Sequence, residues 1–307
     1  MKKGIYFSAN DAVYDWTYAF LSSLRGSNPD LIVYLIPFDG QCDRLLALRE
    51  RFRFEVYEAP EGFERLEEIG QALELGHSTY GPHWFRRYAA FLGPLDAFIY
   101  LDARQLVLGS LQPFFDGLAQ GLDFVYYDTA LVQVYEPGPI RTELLKDGRA
   151  RGFLSGLWAS RKGLFTLEEF ETVVNELVQV REQMNPRNTD QFFINYCCDR
   201  KQVSYAQIAD LAGDLCQAGW AGQPGEPYRD KEGTWRLWDY GGLDHRKKLM
   251  LLHWAGYPLE SWIPHFKLLE RYGLQMSLLE KLKGCGKGLI RKLKANRAIN
   301  QWLKPEI

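Results

Sequence analysis

Three observations predict an α/β fold built on a mostly parallel sheet. Apolar runs rich in β-branched and aromatic residues recur along the chain, segments with helical spacing lie between them, and acidic residues stand just beyond the ends of several runs. The first run, "KGIYFSA", and the second, "LIVYLIPFD", flank "YDWTYAFLSSLRG", where Trp16, Phe20 and Leu24 are spaced for one helix face and Gly26 is a stop signal. This is a βαβ unit, which requires parallel strands. "FRFEVYEA", "AFIYLDA" and "DFVYYDT" supply further strands. "TLEEFETVVNELVQVREQM" opens with Thr166 as N-cap and Glu169 completing a capping box, and its pattern predicts a long helix to Pro186. Ligands in open parallel sheets bind beyond the carboxyl ends of the strands. That directs attention to Asp11, Asp102 and Asp128, each of which follows a strand.

With 307 residues, 46% hydrophobic and 25% charged, the chain has ample material for a core, and one main domain plus an appendage is expected. The start, "MKKGIYFSAND", does not read as a signal peptide, and no run approaches the roughly 18 apolar residues of a membrane span. The five cysteines include an adjacent pair, Cys197 and Cys198, and form no Cys-x-x-Cys motif. That excludes a disulfide framework or zinc site and implies a reducing, cytoplasmic compartment. The net charge of −2 is uneven: residues 280 to 304 hold eight lysines and arginines against Glu280, so that segment carries +7 and the remainder −9. Leu278, Leu282, Leu289, Leu293, Ile299 and Leu303 recur largely at helical spacing, interrupted by "GCGKG". A basic amphipathic C-terminal tail, 271–307, follows a main domain, 1–270. The tail either docks on the parent domain or holds the protein to an anionic membrane surface at the cytoplasmic face. No nucleic acid partner is expected.

The stretch "FIYLDARQLV" places Asp102 and Arg104 two residues apart where a buried strand ends. In extended backbone such residues point to one face and converge on one ligand. Equally, Asp102 reads as a cap of the following turn. His253, inside "LMLLHWAG", reads alone as a core histidine, Asp190 as an N-cap of "QFFINYCCD", Arg86 and Arg87 as surface charges, and Ser155 with Gly156 as a tight turn.

Five blocks change the weight of these readings. "YFSANDAVYDWTYAFLSSLRGSNPDLIVYLIPFD", "WFRRYAAFLGPLDAFIYLDARQLVLGSL", "GFLSGLWASRKGLF", "NTDQFFINY" and "LLHWAGYPLESW" stand in the order, and near the spacings, of the retaining sugar transferases that include glycogenin and the bacterial lipopolysaccharide galactosyl- and glucosyltransferases. The chain resembles that family over most of residues 4 to 262. The resemblance implies a single Rossmann-like GT-A domain with a mostly parallel central sheet, a nucleotide-sugar donor, usually UDP-linked, and a divalent metal between a strand-end Asp-x-Asp and a later histidine. It sets Ala9, Asn10 and Asp11 near the nucleotide base and Arg86 on the helix that meets the donor sugar. Asp102 takes the first aspartate of the metal motif. Ser155 and Gly156 match the sugar-pocket turn, Asp190 and Gln191 the Asp-Gln pair beside the anomeric carbon, and His253 with Gly256 the His-x-x-Gly at the diphosphate. In two places the chain departs from the pattern: Arg104 replaces the second motif aspartate, and Leu259 or Glu260 stands where the family has a diphosphate-binding lysine. A bound Mn2+ or Mg2+, which would use Asp102 and His253, is thereby in question.

Transfer from a nucleotide sugar develops a positive sugar and an anionic diphosphate together, and fixed polar groups in a water-poor site stabilise both. Asp190, Gln191 and Asp102 suit the sugar side, and Arg104, Arg86 and His253 the phosphate side. The glycine-rich stretch 219–242 contains Trp220, Trp235 and Trp238. It reads as an acceptor-side wall, since flat aromatic faces suit sugar rings, or as a surface excursion whose tryptophans anchor it to the core. The expected function is sugar transfer from a nucleotide sugar to a glycan or lipid-linked acceptor; the alternative is an inactive relative that binds a nucleotide or glycan and acts through a partner.

Overall fold

The computed structural model describes residues 1–73, 81–128, 131–146, 152–185, 190–216, 220–222, 225–238 and 247–274. The basic tail expected from residue 271 lies, beyond Leu274, outside the described residues. Among those residues no helix is long and apolar enough to cross a membrane.

Seven strands form the central sheet: β1 (Lys3–Ala9), β2 (Ile32–Pro37), β3 (Glu55–Val56), β4 (Ala97–Asp102), β6 (Phe124–Tyr126), β7 (Leu157–Arg161) and β8 (Tyr205–Gln207). Their order is β3-β2-β1-β4-β7-β6-β8. All neighbours are parallel except β7, which runs antiparallel to both β4 and β6. From β1 the chain moves outward through β2 to β3, then returns to lay β4 on the other side of β1. Strand order reverses between β1 and β4, and a crevice opens there at the carboxyl ends. Their register sets Ser8 beside Asp102.

Alternation along β1 and β4 sorts the core into two faces. Tyr6, Phe98 and Tyr100 enter an aromatic core that also holds Tyr88, Phe91, Trp158, Phe170 and Phe193, whereas Ile5, Phe7, Ile99 and Leu101 enter a mixed aliphatic and phenylalanine core with Phe20, Leu24 and Phe114. Trp158, fully buried on β7, stacks on Phe91, Tyr100 and Phe124 at centroid distances of 5.1, 5.4 and 5.2 Å. Asp102 continues the alternation of Phe98 and Tyr100, so its side chain emerges from the aromatic face.

The helix Tyr14–Ser27 lays Trp16, Phe20 and Leu24 inward as their spacing predicts, running one residue past Gly26. The capping box of Thr166 and Glu169 is formed, but the helix ends at Val178 and not near Pro186. Its buried stripe of Phe170, Val173, Val174 and Leu177 is complete there. The chain then turns to pair Met184 with Tyr135. Outside the main sheet, β9 (Glu226–Arg229) and β10 (Trp235–Trp238) form a hairpin, and β5 (Gln105–Val107) pairs antiparallel with β11 (Leu251–His253). That pairing sets His253 opposite Gln105, three residues beyond Asp102.

Candidate active site

A cavity of about 150 Å³ lies at the crevice between β1 and β4. Its lining includes Ser8, Asn10, Trp84, Arg87, Asp102 and Arg104, with His253 and Gly256 from the β11 segment. A second, smaller cavity adjoins it and shares His253 while adding Asp128 and Gly156.

At the base of the main cavity stands Arg87, whose side chain is 3% exposed. Its Nη2 lies 3.4 Å from Asp102 Oδ1 and its Nε 3.3 Å from Asp190 Oδ2. Nη1 donates to the Ser155 carbonyl at 3.2 Å, and the guanidinium covers the rings of Trp84 and Tyr100. Burial works against its charge, but the carboxylates of Asp102 and Asp190 outweigh this and hold its pKa above the ordinary value. Tyr100 donates to Asp102 Oδ1 at 3.0 Å and Tyr88 to Asp190 Oδ2 at 2.6 Å. Burial raises both phenols, keeping them protonated as donors.

Arg87, and not Arg86, is the arginine of this segment that lines the cavity. Both lie in the 3₁₀ segment Gly81–Phe91. In that geometry residues three apart eclipse. Arg87 therefore stacks over Trp84, whereas Arg86 projects to another side, pairing with Glu67 and donating to the Pro37 carbonyl at 3.1 Å. Arg86, expected at the donor sugar, does not line the cavity.

The turn before β7 is fixed from all sides. The Ser155 amide donates to Gln191 Oε1 at 3.2 Å, and the Ser155 carbonyl accepts Trp158 Nε1 at 3.0 Å. The Gly156 carbonyl accepts Gln105 Nε2 at 2.6 Å and the Asp102 amide at 2.9 Å. A Cβ on Gly156 would stand 2.8 Å from His253 Cε1 and 2.9 Å from Asp102 Oδ2, so only glycine lets the turn close on both. Asp190 occupies the N-cap position of the helix Gln191–Lys201 but makes no side-chain capping bond, because its carboxylate is committed to Arg87 and Tyr88. It is 1% exposed, and neither Asp190 nor Gln191 lines either cavity. Both, expected beside an anomeric carbon, connect to the cavity in this structure through Arg87 and the Ser155 turn.

His253 Nε2 lies 4.0 Å from Asp102 Oδ2. Burial lowers its pKa below the ordinary histidine value, with Asp102 opposing and Arg104 and Arg87 assisting. Arg104 sits where the chain passes from β4 to β5; its carbonyl accepts the Trp254 amide at 2.9 Å, and its Nη1 is 3.5 Å from the Tyr257 carbonyl. Gly256, at φ 74°, takes the left-handed conformation that the turn at the cavity edge requires.

The remaining predicted residues divide. Ala9 and Asn10 line the cavity, Asn10 donating to Asp39 Oδ2 at 2.6 Å. Asp11 does not: its carboxylate accepts the amides of Arg44 and Leu45, both at 3.0 Å, which fixes the turn after β2. Trp220, 42% exposed, pairs by a β-bridge with His253 and leans on Tyr257. Trp238 is exposed at the end of β10. Trp235 is buried with Trp254 and Leu269, so its place on an acceptor wall is corrected to a core anchor.

No family model and no curated protein matches the chain. Solved structures do, and they define the fold class as that of GT-A-type glycosyltransferases. A crystal structure of the galactosyltransferase LgtC with donor and acceptor sugar analogs is similar at TM-score 0.51 and 17% identity, over 88% of this chain and 93% of that one. An active-site mutant of LgtC gives 0.54 over the same shares at 17% identity. The bifunctional glycosyltransferase WbbM gives 0.51 at 14% identity, over 91% of this chain and 51% of that one.

Proposed function

We propose that the protein is a glycosyltransferase that moves a sugar from a nucleotide sugar, UDP-linked as the family resemblance implies, to a glycan or lipid-linked acceptor with retention. One observation carries the reading: Asp102, at the β1/β4 crevice, is clamped on a buried arginine and faces His253, with Arg104 bordering the same cavity. Preorganised charges of both signs in a sheltered crevice are what a reaction separating a cationic sugar from an anionic diphosphate requires. In that reaction the bond from the anomeric carbon to the phosphate oxygen breaks, its electron pair leaving with the diphosphate. A glycosidic bond forms to the acceptor hydroxyl, whose proton passes to the departing phosphate.

Asn10 and Trp84 border the part of the cavity nearest β1 and suit the nucleotide. The Ser8 hydroxyl, buried there, has no hydrogen-bond partner among the described residues, and a bound ligand would supply one. Asp102 serves the sugar, with Arg87, Asp190 and Gln191 as positioning residues behind it. Trp220 and Tyr257 offer aromatic faces on the acceptor side. The charge of residues 280 to 304 fits an anionic bilayer, where lipid-linked acceptors reside.

A non-catalytic binder is the second reading, favoured by the burial of Asp190 away from the cavity. Incubating the full chain with a panel of nucleotide sugars, while following thermal stabilisation and release of nucleoside diphosphate, separates the two. A ligand at one hundred times its dissociation constant adds about 2.7 kcal/mol to stability. Stabilisation with slow hydrolysis of one donor is expected. Stabilisation without hydrolysis or transfer to any acceptor supports the binder, and no response to any nucleotide overturns both.

A further inference from the structure

We infer that Arg104 takes the place of a divalent cation on the donor diphosphate, an inference that rests on the nucleotide-sugar reading above. The metal that the family resemblance implies does not fit the residues present. Among the described residues, no group of three or more His, Cys, Asp or Glu side chains could hold an ion. Asp102 Oδ2 and His253 Nε2 are 4.0 Å apart. With bonds of about 2.0–2.1 Å that is the spacing of opposite corners of an octahedron, so the pair offers an ion no chelating edge. The other oxygen of Asp102 is already engaged by Arg87 and Tyr100.

Charge points the same way. Arg87 answers one of the two carboxylates it bridges, leaving a single negative charge at the base of the cavity. An aspartate at position 104 would double that charge and match a dication; Arg104 cancels it. Its guanidinium would repel a cation held by Asp102 and His253. Toward a diphosphate the same group is well suited, since its planar fork binds two phosphate oxygens at once and stays charged at any working pH. The backbone holds it in place: its carbonyl is fixed by Trp254, and the β5–β11 pairing begins at the next residue.

The test is calorimetric titration of UDP, GDP and ADP into the full chain and its Arg104 variants, in excess chelator and in excess manganese. Manganese electron paramagnetic resonance on the same samples reports whether the ion itself is taken up. The nucleotide that binds is expected to do so equally in both conditions, with the manganese signal of the wild type that of the free ion. Arg104→Ala should weaken binding about ten- to a hundredfold in both, the scale of a charged hydrogen bond. Arg104→Asp should bind weakly in chelator and regain affinity with manganese. Arg104→Lys, which keeps the charge and loses the fork, should fall between wild type and Arg104→Ala, and it substitutes for the alanine variant if that fails to fold. Wild-type binding lost in chelator and restored by manganese, or Arg104→Ala binding as tightly as wild type, overturns the inference while leaving the nucleotide-sugar reading standing. Absence of nucleotide binding in every condition overturns that reading, and the inference with it.

Discussion

The two walls of the cavity are built on opposite principles. On the inner wall, Arg87 and Asp102 answer each other's charges beside Tyr100, and behind them Asp190, Tyr88 and Ser155 complete the contacts. On the outer wall, Arg104, Ala255 and Gly256 form a cationic rim carried by backbone pairing. The inner wall belongs to the core and fixes geometry. The outer wall carries the cation that the proposed function assigns to an anionic ligand, so changes on the inner wall should read out as stability and those on the outer wall as affinity.

The largest break comes from Arg87→Ala. It leaves two carboxylates without their cation, and breaking a buried pair from one side costs about 3–5 kcal/mol. Urea unfolding measures it; a loss below about 1 kcal/mol would mean that solvent reaches the network and the inner wall is not core. Gly156→Ala tests the seam between the walls. The added methyl would press on His253 and Asp102 together. Overpacking of this kind costs about 1–3 kcal/mol, and nucleotide binding should fall with it. An unchanged melting temperature would show that the turn has room to move.

The smallest effect is that of pH. His253 has a folded pKa lowered by burial. At pH below the unfolded histidine value of about 6.5 the unfolded chain gains a proton that the folded chain resists, so stability falls with acidification and is level above it. His253→Gln should flatten that part of the profile; an unaltered slope assigns it to other groups.

β1 to β4 and β6 were legible because apolar runs and βαβ spacing are local signals, whereas the strand order and the antiparallel β7 depend on pairing between distant segments. Asp102, His253 and the Ser155–Gly156 turn came together through motif order. What was missed had a local signature too. In "WFRRYAAF" Arg87 stands three residues after Trp84 and beside the buried Tyr88, Ala89, Ala90 and Phe91, a spacing that Arg86 does not share. Trp235 and Trp238 are three apart in a strand and so cannot share a face. The commitment of Asp190 to Arg87 was not legible, because it depends on contacts between segments about one hundred residues apart.

A nucleoside diphosphate that enters this cavity would lie against His253, a residue common to both cavities. Nitrogen-15 NMR of the five histidine rings reports that contact, with His253→Gln assigning the signal. Titration with UDP should shift the His253 resonance saturably and leave that of His265, which pairs with Glu226 away from the cavity, in place. Saturable binding of UDP with the His253 signal unmoved would put the ligand elsewhere and contradict the account.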